Sequence, residues 1–259
     1  MKTSYFKKLK NKENYTVNKE KTKEFYEKYE YLCNCLECMN YYKKIQVTYP
    51  KLVDFLNEYN VDIEKPVEII TYDYENNKQV CESYYVVIGD LIKEFSLQID
   101  DLFIEFIDKQ NLFKVETGDD YFLINIKGIH LERGIYFVSN NERKGSNYFE
   151  FQFCKIKDPI KKTIFGKYRI KGYKMRGDDS IYLDSESFDY MIEKYDNYIR
   201  LDNNSHERFA YYGENYYDKD CALELLQSIK SINDSELSVL ISFLEEDIEK
   251  YNGFYLLGI

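Results

Sequence analysis

Apolar residues recur along this chain with changing spacing, and each change marks a change of element. The first twenty residues are polar and lysine-rich without a sustained period, as expected for a frayed arm or one marginal helix. From Cys35 to Ile45 the spacing suits a helix. A second short helix is expected to start at Tyr49-Pro50, because proline favours the first helical position and Leu52, Phe55, Leu56 and Tyr59 then share one face. Asn60 is its expected stop. Pro66 to Tyr74, the turn Glu75-Asn-Asn-Lys78, and Gln79 to Gly89 read as strand, turn and strand. Shorter strands are expected at 92–99, 103–107, 121–127, 134–139 and 147–156, separated by Asp100-Asp101, Gly118-Asp119-Asp120 and Asn140-Asn141.

Helical spacing returns in the second half. Ser180 to Leu183 reads as a strand, and Asp184 or Ser185 caps a helix to about Tyr198 with Phe188, Met191, Ile192 and Tyr195 on one face. Arg208 to Tyr212, Gly213 and Asn215 to Tyr217 form an aromatic, strand-like stretch. Two helices are expected to close the chain. One spans about Asp218 to Ser231. The other starts at Asp234-Ser235, carries Leu237, Leu240, Ile241, Leu244, Ile248 and Tyr251 at helical spacing, and ends in an Asn252-Gly253 cap. These elements predict an α+β fold of antiparallel sheets with short N-terminal helices and a C-terminal helical pair. Turn signals between 118 and 134 place a boundary there, giving domains 1–125 and 126–259.

At 259 residues and 44% hydrophobic content the chain can fill one or two cores. Its 28 Tyr and 17 Phe against no Trp and 3 Pro favour sheet-rich packing. The first ten residues lack the apolar core of a signal peptide, and no apolar run reaches membrane-spanning length, so the expected location is the cytoplasm. The formal charge of −10 is uneven: residues 1–30 hold nine Lys against five Glu, leaving 27 basic and 41 acidic residues beyond them. An acidic surface of this kind disfavours nucleic acid and suits a cationic partner, or simply maintains solubility.

Candidate chemistry is concentrated in Cys33-Asn-Cys35-Leu-Glu-Cys38. Three thiolates are one ligand short of a closed structural zinc site, and the other cysteines and His130 and His206 lie at no ligand-like spacing. The run therefore reads as structural zinc with a remote fourth ligand, as three buried or partly buried thiols with Asn40 bonding backbone, or as a redox or nucleophilic cysteine. Asp178-Asp179, with Asp184, Glu186 and Asp189, imitates a Mg²⁺ site but fits a wet loop better. Glu245-Glu246-Asp247 with Glu249 is expected to project from the apolar stripe of the last helix as a solvated face. Lys7, Lys8, Lys10 and Lys12, and Lys155 to Lys174 interleaved with Tyr168 and Tyr173, are the features that favour nucleic acid. No phosphate loop, dinucleotide fingerprint or nucleophile elbow is present.

Two resemblances bear on function. Cys33-x-Cys35-x-x-Cys38-x-Asn40-Tyr41, followed by Tyr49-Pro50, Leu52, Phe55, Leu56, Asp62-Ile-Glu-Lys-Pro66 and Tyr84-Tyr-Val-Val-Ile-Gly89, resembles a family of small proteins of Gram-positive bacteria that is often encoded near secreted toxins. The likeness covers about residues 27–115 and carries no catalytic residue set. Ile181-Tyr-Leu, Phe188 and Tyr212-Gly-Glu-Asn-Tyr-Tyr217 before a helix are similar to the closing part of immunity proteins of contact-dependent inhibition and polymorphic toxin systems. The resemblance implies a non-enzymatic protein that neutralises a toxin domain, a cationic nuclease being the expected kind. The expected interface residues are Asp178, Asp179, Glu186, Asp189, Tyr212, Tyr216 and Tyr217, which pair acidic groups with aromatic anchors. The alternatives are a zinc- or thiol-dependent enzyme using Cys33, Cys35 and Cys38, and a nucleic-acid-binding accessory protein.

Overall fold

The structure of the chain, a computed structural model, describes residues 13–33, 35–75, 78–108, 115–143, 147–199, 201 and 209–258. Lys7 to Lys12 and His206 lie outside the described residues. The chain divides into two units, Met1–Arg133 and Gly134–Ile259. A boundary after residue 125 would cut a strand, Tyr121–Glu132, that is hydrogen-bonded on both sides, and the division comes after that strand ends.

The first unit places three helices, α1 (Lys19–Lys28), α2 (Leu36–Thr48) and α3 (Pro50–Asn57), before five strands: β1 (Glu68–Glu75), β2 (Lys78–Ile88), β3 (Phe95–Ile99), β4 (Leu102–Asp108) and β5 (Tyr121–Glu132). All pairings are antiparallel, in the order β1-β2-β5-β4-β3. Pro50 opens α3 as expected, and Leu52, Phe55 and Leu56 are fully buried. Each such side chain stabilises the unit by roughly 1.5–3 kcal/mol. The helices cover one face, where Tyr41, Ile45, Phe55 and Leu56 join Cys81, Tyr85, Val87, Phe106 and Phe122 in one core. Alternate residues of β2, namely Tyr84, Val86 and Ile88, build a smaller core on the opposite face.

β1 pairs with β2 only as far as Tyr84, and α1 takes over beyond it. The Tyr26 hydroxyl donates to the Val86 carbonyl at 3.0 Å and accepts from the Val86 amide at 2.9 Å, while Thr22 Oγ1 accepts from the Ile88 amide at 3.1 Å. The helix thus satisfies backbone groups that would otherwise be orphaned, the tertiary reason a polar N-terminal stretch forms one. Asn18 caps α1 through the Lys21 amide.

In the second unit the elements are β6 (Val138–Ser139), β7 (Tyr148–Phe153), β8 (Ile160–Lys162), β9 (Tyr168–Ile170), β10 (Ile181–Asp184), α4 (Ser185–Lys194), β11 (Glu214–Tyr217), α5 (Lys219–Ile232), α6 (Ser238–Lys250) and β12 (Phe254–Gly258). Five strands form an antiparallel sheet ordered β11-β12-β7-β10-β6, and β8 and β9 form a separate hairpin. Asp184 and Asp218 cap α4 and α5 through the amides of Ser187 and Cys221. Asp234 caps a short 3-10 turn, Ser235–Leu237, that leads into α6. The paired C-terminal helices stand as expected, but they do not close the chain. After α6 the backbone returns as β12, between β11 and β7, with Phe254 to Leu257 buried. Gly253 makes the return at φ +104°, where a Cβ would lie 2.0 Å from the Tyr217 carbonyl oxygen, so it serves this turn instead of a helix cap.

Phe149, Phe151, Phe153, Phe188, Phe243 and Phe254 meet α4, α5 and α6 in the main core of this unit. The opposite face holds Cys154, Tyr255 and Leu257 against Ile156, Ile170, Tyr173 and Tyr216. Among the described residues no helix is long and apolar enough to cross a membrane.

Candidate functional site

The three N-terminal cysteines converge. Their Sγ atoms all lie within 4.8 Å of one another. Cys35 is the N-cap of α2 and exposed, Cys38 sits three residues on and is buried, and exposed Cys33 accepts a hydrogen bond from the Cys35 amide at 3.4 Å. Two of the three thiols are thus more open than expected. Asn40 donates to Gln79 Oε1 at 2.9 Å, and Gln79 Nε2 reaches the Glu37 carbonyl at 3.1 Å, which ties the first turn of α2 to β2. The Cys38 thiol, donating to the Cys35 sulfur, pulls the Cys35 thiol down to about 6 against the effect of burial. Cys38 is pushed well up by the same bond and by burial, and Tyr42 is raised by burial and by Cys38. No other His, Cys, Asp or Glu among the described residues of the first unit joins the cluster, so His130 and Cys81 supply no fourth ligand.

Asp178 and Asp179 form an exposed turn between β9 and β10. Asp179 pairs with Lys155. This turn hangs on Glu150, a fully buried carboxylate of β7 that local periodicity does not single out. Glu150 accepts from the amides of Arg176 and Gly177, both at 2.8 Å, from Ser180 Oγ at 2.7 Å and from Gln152 Nε2 at 2.9 Å. Gln152 in turn bonds both backbone groups of Lys174. The alternation Tyr148-Phe-Glu-Phe-Gln-Phe153 would leave Glu150 and Gln152 on a wet face. The loop before β10 covers that face instead, and its amides replace the water.

The other expected interface residues separate by strand alternation. Tyr217 is 2% exposed, stacks on Phe254 at 4.8 Å and donates to the Leu201 carbonyl. Tyr216 is half-buried against Tyr255, and its hydroxyl is held by the Asn252 carbonyl. Tyr212 remains outside at 87% exposure, its ring edge-on to Tyr211 at 4.8 Å. Tyr211 donates to Asp189 at 3.0 Å, which brings this α4 carboxylate, with exposed Glu186 on the same helix, into one acidic and aromatic patch with Tyr212.

The basic stretch becomes an arm. From 155 to 176 there are nine basic residues and one acidic, against 27 basic and 45 acidic elsewhere. Lys161 faces Arg169 and Lys162 faces Tyr168 across β8 and β9, a like-charge pairing that is unfavourable on its own. The tip carries Ile164 at 95% and Phe165 at 83% exposure. Tyr173, by contrast, is engaged by Glu214, and Lys155 by Asp179.

Asp247 departs from the solvated face expected on the last helix. It is fully buried, and neither carboxylate oxygen has a hydrogen-bond partner among the described residues. Burial pushes it up to about 7, partly offset by the charge of Lys219. The spacing held a signal, since Asp247 lies seven residues after Leu240 and three after Leu244, on the apolar stripe. Neither a protein-family model, nor a curated protein, nor a solved structure matches this chain.

Proposed function

We propose that this chain is a non-catalytic immunity protein of the cytoplasm that binds and neutralises a cationic toxin domain. The observation that carries the reading is the patch of Tyr212, Tyr211, Asp189 and Glu186: an exposed aromatic anchor set among carboxylates on an acidic chain. A buried aromatic centre with charged surroundings is the usual composition of a tight protein interface, and the acidity steers a basic partner. The test is calorimetric titration with the C-terminal domain of a large secreted protein encoded immediately upstream. A one-to-one complex is expected, weakened about thirtyfold or more by Tyr212→Ala, the loss of a hot-spot anchor. Absence of binding at micromolar concentration overturns the reading, and an unchanged affinity in Tyr212→Ala overturns the assigned surface.

One observation favours a second reading. The β8–β9 arm presents Lys161, Lys162, Lys167 and Arg169 without an ion pair among the described residues, beside exposed Phe165 and Tyr168. Cations that hold phosphates next to rings that stack bases would bind single-stranded nucleic acid. Fluorescence anisotropy of a labelled oligonucleotide is expected to show salt-dependent binding, with the salt slope reduced by about 2 in Lys161→Glu/Arg169→Glu. Binding indifferent to salt or to these substitutions removes this reading.

A further inference from the structure

We propose that Cys33, Cys35 and Cys38 form a three-thiolate site for a soft monovalent cation, Cu(I) being the ion whose chemistry it fits best. This site belongs to the first unit and stands independently of the toxin-binding reading. The argument begins with spacing. Metal–sulfur bonds of about 2.3 Å set sulfurs about 3.8 Å apart in a tetrahedral site and about 4.0 Å apart around a trigonal ion. Sγ atoms within 4.8 Å of one another already lie close to either requirement.

Ligand number and type then choose the ion. Structural zinc takes four protein ligands, and no fourth His, Cys, Asp or Glu joins these three among the described residues of the first unit. Thiolate ligands select soft ions, and Cu(I) is satisfied by three of them in a plane. Zinc here would need a fourth ligand from solvent.

The start of α2 favours a thiolate at Cys35, whereas burial opposes one at Cys38, which metal binding must overcome. Cys35 begins a helix of thirteen residues, whose N-terminal end attracts negative charge, and the Cys35 amide already points at the Cys33 sulfur. The bonds from Asn40 and Glu37 to Gln79 hold that end of the helix on β2, so the ligand frame is tied to the sheet before any ion arrives. Two exposed sulfurs give a donor molecule access, while buried Cys38 supplies the inner ligand. Each sulfur binds as a thiolate and the protons the three still hold are released, with no change of oxidation state at copper or sulfur.

A third cysteine also separates this reading from a dithiol couple. A Cys35–Cys38 disulfide would use a C-x-x-C pair at a helix start and leave Cys33 with no role.

The experiment uses the full chain, reduced and free of oxygen, titrated with Cu(I) against a chromophoric Cu(I) chelator. Expected is one Cu(I) retained per chain, with ultraviolet thiolate-to-copper absorption and an X-ray absorption spectrum showing three sulfur neighbours. Cys33→Ser, at an exposed position where folding is not at stake, is expected to weaken retention by on the order of a hundredfold, as is Cys38→Ser. Cys221→Ser is expected to leave it unchanged. Retention equal in wild type and Cys33→Ser overturns the proposal. So does stoichiometric, four-coordinate zinc that Cu(I) fails to displace, which makes the site a zinc site completed by solvent. Failure to hold Cu(I), together with ready formation of a Cys35–Cys38 disulfide under mild oxidant, replaces it with a redox pair.

Discussion

Replacing Glu150 by alanine is expected to lower the stability of the second unit by about 3–5 kcal/mol, more than the loss of an ordinary core methyl group. The carboxylate is wholly buried and serves four donors, two of them backbone amides of the loop before β10. An orphaned buried donor costs about 1–3 kcal/mol, and a bond to a charged acceptor contributes about 1.5–3 kcal/mol. Alanine removes all four partners at once, and water can re-enter for only part of them. Glu150→Gln keeps one carbonyl oxygen but turns an amide N–H₂ toward other donors, so about 1–3 kcal/mol is expected there. Urea unfolding of the full chain measures the size, and hydrogen exchange locates it. Amides of residues 174–180 should lose protection first, since Glu150 and Gln152 hold them. A Glu150→Ala protein as stable as wild type, or one whose 174–180 amides stay protected, would show that the loop is held by other means.

Asp247→Asn is expected to act in the opposite direction, as a stabilising substitution whose size depends on pH. The folded protein holds this carboxyl at about 7, and in the unfolded chain it titrates near the ordinary 3.8. Between those values the folded state binds a proton that the unfolded state does not. Stability from this group is therefore complete below about pH 4, declines as pH rises, and is lost above about pH 7. A displacement of that extent corresponds to at most roughly 4 kcal/mol at alkaline pH. An amide of the same shape carries no charge to bury but is itself unpartnered, so a gain of about 1–3 kcal/mol at pH 8 is expected, shrinking toward zero at pH 5. Other carboxylates titrate in both proteins alike and cancel in the difference. Unfolding of both proteins at pH 5 and pH 8 gives the result directly, and a difference independent of pH would mean that Asp247 is not the group responsible.

Both carboxylates illustrate where reading the chain alone stops. Glu150 lies in a run whose alternation assigns it to solvent, and nothing nearby in sequence says that a loop some twenty-five residues later will lie over it. Asp247 does sit on the apolar stripe of its helix, but a charge run, Glu245-Glu246-Asp247, reads as a solvated face until the return of the chain beneath it is known. Burial of a polar group depends on long-range covering, which local periodicity does not report.

Apart from α1, which the open end of β2 holds in place, the helices and the first hairpin were determined locally. Pro50 with its apolar face, the caps at Asp184, Asp218 and Asp234, and the alternation on either side of Glu75 to Lys78 act within a few residues, and these elements formed where their own chemistry puts them. The cysteine spacing was equally plain, although only the position of Cys35 at the helix start and Cys38 one turn inward brings three sulfurs together. Partners distant in the chain decided the rest. Phe254 to Leu257 is a short apolar run after a helix, ambiguous on its own, and becomes the strand between β11 and β7 because both neighbours offer unpaired backbone. That pairing fixes the alternation of β11, sending Tyr217 to the core and Tyr216 to the other face, while Tyr212 stays outside before the strand begins. A strand has no internal hydrogen bonds, so its existence and its faces are properties of the sheet it joins, whereas a helix carries its own bonds and caps with it.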